Sequence, residues 1–413
     1  MAGNPAAGGK RLLVLGAGPG QLGLLEAARA RGLYVIAADR NPSAPGFRFA
    51  DRRAIISVED EPQLDRLAGA EHVDGVIAPG IDWPVAIAAR IAERWGLPHP
   101  IDPPTAVLAT SKLRQRDRFA EAGVPHPRHV VCATLDEAAA AADDFGYPCV
   151  VKAPDRQGQK GLVLVRDESM LADAFALALG ASRSNVVLME ELVTGREVTV
   201  SGFSLDGTFV PLTVTDRLVA EPPAFGVALA HVWPSSLSPA EAEVAVDAAR
   251  AAAEAVGVRR GPTYIQVVVG ERGAHVVELA ARLGGGHDAE LCTVALGVDA
   301  NQLALDAALG APVDAERLRP TGPAGGACVR FLVPEPGVLE DVLGVAEAEA
   351  LPGIGWVRVY PEPGAVLTTL RRGADRAGAV LAVGESREQA LERAGRAADC
   401  VRLVVADAAE ALV

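Results

Sequence analysis

The residues best suited to chemistry lie in one stretch, Gln266–His287, where an amide, a carboxylate, a guanidinium and three glycines follow one another. Apolar residues run through Tyr264–Val269 and again through Ala274–Leu279, with Glu271-Arg272-Gly273 between them. Val and Ile at this density around a glycine-containing turn predict a β-hairpin or two neighbouring core strands. Gln266 and Glu278 are twelve residues apart, so a tight turn brings their side chains towards one site. A carboxylate at the end of a buried strand is costly unless a cation or hydrogen bonds satisfy it. Glu278, the carbonyl oxygen of Gln266 and the nearby Arg282 guanidinium suit a magnesium ion and a phosphate. The same residues fit a salt-bridged sheet edge, and the stretch alone leaves both readings open.

Other candidates are spread along the chain. Lys152 ends an apolar strand, and a loop with two glycines, Asp155–Gly161, follows before a second strand. Such a hairpin can close over polyphosphate with backbone N–H groups and an ammonium. It is not a Walker loop, because GxxxxGK[ST] is absent. Glu190 and Glu191 stand where a strand leaves the core, and Glu197 follows a turn at Gly195. These acids fit an adenine amino group or ribose hydroxyls, or plain surface positions. Lys112, Arg114, Arg116 and Arg118 share a helix opened by Thr110 or Ser111, which by itself reads as a solvated basic face. His231, alone among alternating strands, reads first as structural.

The elements that must position these groups alternate. Leu12–Leu15, a GAGPGQLG turn, an Ala-rich helix to Arg31 and a strand at Tyr34–Ala37 ending in Asp39 form a βαβ unit. Gly16 and Gly18 fit a dinucleotide fingerprint, but Gln21 stands where the third glycine belongs, so close packing of helix on strand is the stronger reading. Further strands (Ala54–Ile56, Val76–Ala78) and helices (Pro62–Leu67, Val85–Trp95) complete a small parallel sheet that ends at the prolines of GLPHPIDPP. Helices are expected at Leu135–Asp144, Ala240–Val256, Val298–Leu309 and Arg387–Cys400, with a last strand at Val401–Val405 and a loose tail over residues 1–9. At 413 residues the chain has room for two or three domains. It carries 39 basic and 53 acidic residues, a formal charge of −14, and no basic run, which argues against a nucleic-acid partner. Five dispersed cysteines without CxxC point to buried thiols in a reducing compartment. No segment has signal-peptide or membrane-spanning character, so the expectation is a cytoplasmic protein with no membrane partner.

Lys112, the Lys152 hairpin, EELVTGRE and ELAARLGG, in this order, resemble the ATP-grasp superfamily, and the resemblance covers nearly the whole chain. The E-x-A-A-R strand end is similar to that of carboxylate–amine ligases of the bacilysin-type L-amino acid ligase group. The resemblance implies an α/β fold (α+β in the ATP-grasp part): a biotin-carboxylase-like βαβ domain at 1–103, an ATP-grasp domain at 104–310 with a lid at about 126–193, and a C-terminal α+β domain at 311–413. It implies ATP and Mg2+ as cofactors. Lys112 and Lys152 would contact the phosphates, and Gln157, Gly158, Lys160 and Gly161 would form the mobile lid loop. Glu190 and Glu191, with the backbone at Leu192 and Val193, would meet adenine, and Glu197 the ribose. Glu278 and Gln266 would hold metal, while Arg282 would hold the transferred phosphate. His231, Gly284, Gly285, Gly286 and His287 would line the substrate pocket.

Two positions depart from the family pattern. Gln266 replaces the usual acid, and Ala228 stands where relatives that bind an amino acid often carry Glu. The implied activity joins a carboxylic acid to an amine or amino acid through an acyl phosphate, releasing ADP and phosphate. The alternatives are a purine-pathway carboxylase or formyltransferase, for which no basic residues are evident near the glycines, and a non-catalytic nucleotide-binding homologue. A homodimer is expected from the family.

Overall fold

The computed structural model describes residues 9–406. The expected loose tail, residue 9 apart, lies outside them. The chain begins with a four-stranded parallel sheet in the order Arg52–Ala54, Tyr34–Ala38, Arg11–Leu15, Gly75–Ile77. Leu12 to Leu15 are fully buried, with Leu13 and Leu15 facing one core and Leu12 and Val14 another. A parallel sheet covered on both faces needs such a continuous apolar run. Both cores extend beyond it: Val198, Val200 and Ile265 join the first, and Phe203, Val329 and Leu381 the second.

The glycine turn after the first strand serves packing. Gln21 is buried, and its Nε2 donates to Pro79 O at 2.7 Å. Its side chain fills the space under Gly16, whose φ is +112°. A Cβ on Gly20 would sit 3.1 Å from Gly285 O, so this turn rests on the glycine loop that follows Arg282.

Two helices, Pro103–Ala109 and Lys112–Ala122, lead onward. Ser111 caps the second, its hydroxyl accepting from Arg114 N, and Gly123 ends it with φ +69°. An antiparallel sheet follows, ordered His129–Cys132, Val187–Glu191, Cys149–Lys152, Leu162–Val165, with helices Leu135–Phe145 and Leu171–Ala181 packed over its buried Cys132, Cys149, Val151 and Met189.

The largest sheet has eight antiparallel strands: Gly273–Ala280, Gly261–Gly270, Arg196–Leu205, Thr208–Val219, Ala228–Trp233, Gly326–Leu332, Gly378–Gly384 and Ile354–Val359. Its last three strands come from the C-terminal region, joined through the pairing of Ala228–Trp233 with Gly326–Leu332. The anticipated hairpin forms its edge, with Gln266 opposite Glu278. Helix Pro239–Val256 packs alanines on the first of the two cores. A helix not expected, Asp288–Leu296, precedes the expected one, which forms at Ala300–Ala308 within Val298–Leu309. Gly297 at φ +71° stops the first, and the Asp299 side chain caps the second. Asp288 and Glu290 in the first turn and the terminal Gly297 were helix signals that the preceding glycines obscured. Among the described residues no helix is long and apolar enough to cross a membrane.

Replacing Gln21 by Gly restores the fingerprint spacing but leaves Pro79 O without its partner. A loss of about 1–3 kcal/mol in urea unfolding is expected, with no NADH binding by fluorescence.

Candidate active site

Two cavities, of about 630 and 160 Å³, adjoin; the smaller lies between the antiparallel sheet and the eight-stranded sheet, the larger is also walled by the loops of the parallel sheet at Gly18–Gln21 and Gly80–Trp83, and Lys112, Gln266, Glu278 and the loop Arg156–Lys160 line both. The chain leaves the smaller sheet at Glu191 and enters the larger at Arg196, so the connecting residues Leu192 and Val193 wall the small cavity.

The charge centre of the small cavity is almost free of solvent. Arg116 is fully buried; its Nε donates to Glu190 Oε1 at 2.8 Å and its Nη2 to Val277 O at 2.7 Å. Lys152 Nζ lies 2.5 Å from Glu190 Oε2. Burial pushes the Glu190 carboxyl up, but Arg116 and Lys152 outweigh it and hold the group at about 2. Burial, with Arg116 and Lys112 nearby, brings the Lys152 ammonium down to about 8 against the pull of Glu190. The helix Lys112–Ala122 is therefore only in part a solvated basic face: Arg114 and Arg118 are exposed, while Arg116 is buried. Gln115 locks it to the hairpin, donating to Ala109 O and Leu279 O and accepting from Leu279 N. Its buried stripe of Gln115, Arg116 and Phe119 is mostly polar, so hydrophobic periodicity gave no sign of it.

At the wall shared by the cavities, Lys112 Nζ donates to Glu278 Oε1 at 2.6 Å and to Arg156 O at 2.9 Å. Burial works against both charges, yet each holds the other ionised: the Lys112 ammonium is shifted up and the Glu278 carboxyl down. Glu278 already accepts a cation, and Gln266 offers a carbonyl oxygen in register. Among the described residues no cluster of three or more acids, histidines or cysteines could hold a metal unaided. Mg2+ suits such a sparse set when substrate phosphates supply further oxygens.

In the large cavity, Arg282 forks onto Asp82, with Nε and Nη2 at 2.7 and 2.6 Å from Oδ1. Arg217 Nε donates to Glu197 Oε1 at 2.6 Å, and its Nη1 to the Tyr264 hydroxyl. His231 Nδ1 lies 2.8 Å from Asp288 Oδ1. Burial opposes ionisation of Asp288, but His231 and Arg217 bring it to about 2. Gly286 must lack a side chain, since a Cβ there would sit 2.4 Å from His231 Cε1.

The structure gathers Lys112, Lys152, Gln157, Gly158, Lys160, Glu190, Glu191, Leu192, Val193, Glu197, Gln266 and Glu278 around the small cavity. It gathers Arg282, His231, Gly285 and Gly286 around the large one. Gly161, at φ +73°, begins the strand side of the loop. Glu191 is tied to Arg128 and Arg272. Gly284 and His287 are not brought to the cavity wall. His287 is buried, with Nδ1 3.0 Å from Glu290 Oε1 and Nε2 2.7 Å from the Tyr360 hydroxyl. Asp82, Arg116, Arg217, Tyr264 and Arg376 were missed. They carry no motif and reach the site only through folding.

Residues 111–316 match the family model described as carbamoyl-phosphate synthase L chain, ATP binding domain, and residues 330–406 match L-amino acid ligase C-terminal domain 2. The chain belongs to the ATP-grasp carboxylate–amine ligase family, whose members form carbon–nitrogen bonds. It is 30% identical over 412 residues to formate-dependent phosphoribosylglycinamide formyltransferase of Burkholderia vietnamiensis, with 95% of each chain covered. The fold is similar to that of an L-amino acid ligase from Bacillus licheniformis, with a TM-score of 0.81, 20% identity, and coverage of 96% of this chain and 99% of that one. It is also similar to the biotin carboxylase domain of Hydrogenobacter thermophilus 2-oxoglutarate carboxylase, solved with MgADP and bicarbonate, with a TM-score of 0.79, 19% identity, and coverage of 96% and 91%.

Glu190→Gln leaves two buried cations around a neutral amide and should cost about 3–5 kcal/mol. Glu190 is depressed in the folded state, so its contribution is full above the unfolded carboxyl value and is lost as pH falls towards about 2. Urea midpoints at pH 7 and pH 3 check both: the gap between variant and wild type should narrow in acid.

Proposed function

We propose that this protein is an ATP-dependent ligase that activates a carboxylic acid as an acyl phosphate and joins it to an amine, releasing ADP and phosphate. The observation that carries this reading is the wall shared by the two cavities, where Lys112 and Glu278 stand between a cleft of nucleotide character and a larger polar cavity. A γ-phosphate held at that wall faces an acid bound beside Arg282.

In this reading the small cavity takes the nucleotide. Leu192 and Val193 offer backbone to the adenine edge, with the acids Glu190 and Glu191 beside it, and Glu197 faces the ribose. Lys112, Lys152 and the loop Gln157–Gly161 cradle the phosphates, and closure of that loop excludes water from the acyl phosphate. Glu278 and Gln266 are the residues that would hold magnesium, whose chemistry is to neutralise phosphate charge. Arg282, oriented by Asp82, stabilises the negative charge that grows on the transferred phosphoryl group. His231 and the glycines Gly285 and Gly286 shape the substrate end. Glu190 can reach a nucleotide only in part while it neutralises Arg116 and Lys152, so its main role here is to fix Lys152.

A purine-pathway reading is favoured by the formyltransferase relative, alike over 95% of both chains. The expectation that basic residues are lacking near the glycines is corrected: Arg217 and Arg376 line the cavity that holds Gly285 and Gly286.

Coupled-enzyme measurement of ADP, together with free phosphate, across acid and amine pairs tests the proposal. Release that requires one acid and one amine, and falls at least about a hundredfold in Arg282→Ala, is the expected result. Release with formate and phosphoribosylglycinamide alone would instead select the purine-pathway reading. ATP binding without release under any pairing would leave a non-catalytic protein, which Gln266→Glu would then probe. The ammonium of Lys152 is lost as pH rises through about 8. kcat/KM for MgATP should therefore fall about tenfold per unit above that value, and Lys152→Arg should remove the step.

A further inference from the structure

Behind the wall of the large cavity runs a chain of hydrogen bonds. Tyr360, just after the strand Ile354–Val359, lines that cavity. Its hydroxyl is 2.7 Å from His287 Nε2, and His287 Nδ1 is 3.0 Å from Glu290 Oε1. His287 is buried, so it meets the cavity through Tyr360. The carboxylate beside Nδ1 favours the tautomer with its proton there, which leaves Nε2 to accept from the Tyr360 hydroxyl. Arg358 Nη1 lies 3.2 Å from the same Nδ1 but donates to Glu290 Oε1 at 2.6 Å. Arg358 Nη2 donates to Glu26 Oε2 at 2.9 Å. Two carboxylates thus face one guanidinium, so the cluster carries one negative charge while His287 is neutral and none once it is protonated. Burial pushes the Glu290 carboxyl up, but His287 and Arg358 outweigh it and hold the group at about 2. Burial also pushes the Tyr360 hydroxyl up, which keeps it a phenol that gives one proton as it takes another. The imidazole stands at a costly place in the backbone. His287 has φ +61°, in the left-handed region that glycine enters more cheaply, and its side chain does not cap the helix it precedes. Trp356, edge-on at 4.9 Å, and Phe331, stacked at 6.5 Å, fix the plane of the ring.

We propose that Tyr360 accepts the proton of the attacking amine and that His287, held by Glu290, is the positioning residue that draws this proton away. The proposal rests on the reading above that an amine displaces phosphate from an acyl phosphate in the large cavity. The amine nitrogen bonds to the acyl carbon, the bond from that carbon to the phosphate oxygen breaks, and phosphate leaves with the electron pair. The surplus proton on nitrogen passes to the Tyr360 oxygen as the Tyr360 proton moves to His287 Nε2. The imidazolium so formed faces the Glu290 carboxylate, and returns its proton through Tyr360 to the departing phosphate or to water.

Hydroxylamine separates this step from the formation of the acyl phosphate. It is uncharged at neutral pH and attacks an acyl phosphate without a protein base, giving a hydroxamate that is measured by its iron complex. The full chain is given MgATP, the acid that releases ADP in the assay above, and either hydroxylamine or the amine. Tyr360→Phe and His287→Asn should each lose amide formation at least about a hundredfold in kcat and hydroxamate formation no more than about twofold. Asparagine tolerates the left-handed backbone, so His287→Asn removes the ring and keeps the turn. Tyr360→Phe keeps the ring in the wall and serves alone if the histidine variant does not fold. The proposal is overturned if Tyr360→Phe makes amide as fast as wild type, or loses amide and hydroxamate equally. Wild type that forms both products while the variants match it removes the relay and keeps the ligase reading. Wild type that forms neither product with any acid removes both.

Discussion

The site depends on the buried triad of Arg116, Glu190 and Lys152. Three charges with almost no solvent would be prohibitive singly, and they persist because Glu190 gives one oxygen to each cation while Arg116 also donates to Val277 O. The triad ties together the helix Lys112–Ala122, two strands of the smaller sheet, and the edge hairpin of the larger one. It also sets the chemistry next door. Burial, with the charges of Arg116 and Lys112 beside it, brings the Lys152 ammonium down to about 8 although Glu190 holds it.

A second set of pairs links the two cavities. Glu197 on the small side is held by Arg217, and Arg217 reaches Tyr264 and the neighbourhood of Asp288 on the large side. Arg282 carries a similar connection across the fold, since its partner Asp82 comes from the loop after the first parallel sheet. That sheet meets the site where Gly80 and Gly20 press against the Gly285 backbone. The glycine turn that looks like a nucleotide fingerprint is therefore a joint between layers. A side chain at Gly20 would separate them.

Local pattern made much of the fold readable. The βαβ start, the hairpin with Gln266 opposite Glu278, and the helix Arg387–Cys400 follow from periodicity, turn residues and caps acting over a few positions. The helix beginning at Asp288 was lost because three glycines before it argued for a loop, although its first-turn acids and its terminal glycine were present. The buried stripe of Gln115 and Arg116 was unreadable for a different reason: a polar side chain shows burial only once its partners, here from Glu190, Val277 and Leu279, are known.

The sequence by itself determined the list of groups able to do chemistry, Lys112, Lys152, Glu278 and Arg282, and the strand ends that carry them. Side-chain type and local spacing are enough for that. Only the tertiary structure decided which charges are cancelled and which stay available. Asp82 and Arg282 are two hundred residues apart, and Lys112 and Glu278 one hundred and sixty-six. It also turned His287 away onto Glu290 and Tyr360, and left Arg376 facing the cavity with carbonyls and a ring for neighbours. Electrostatic pairing acts over a few ångströms of space and has no fixed spacing along the chain, so it is settled only when the sheets come together.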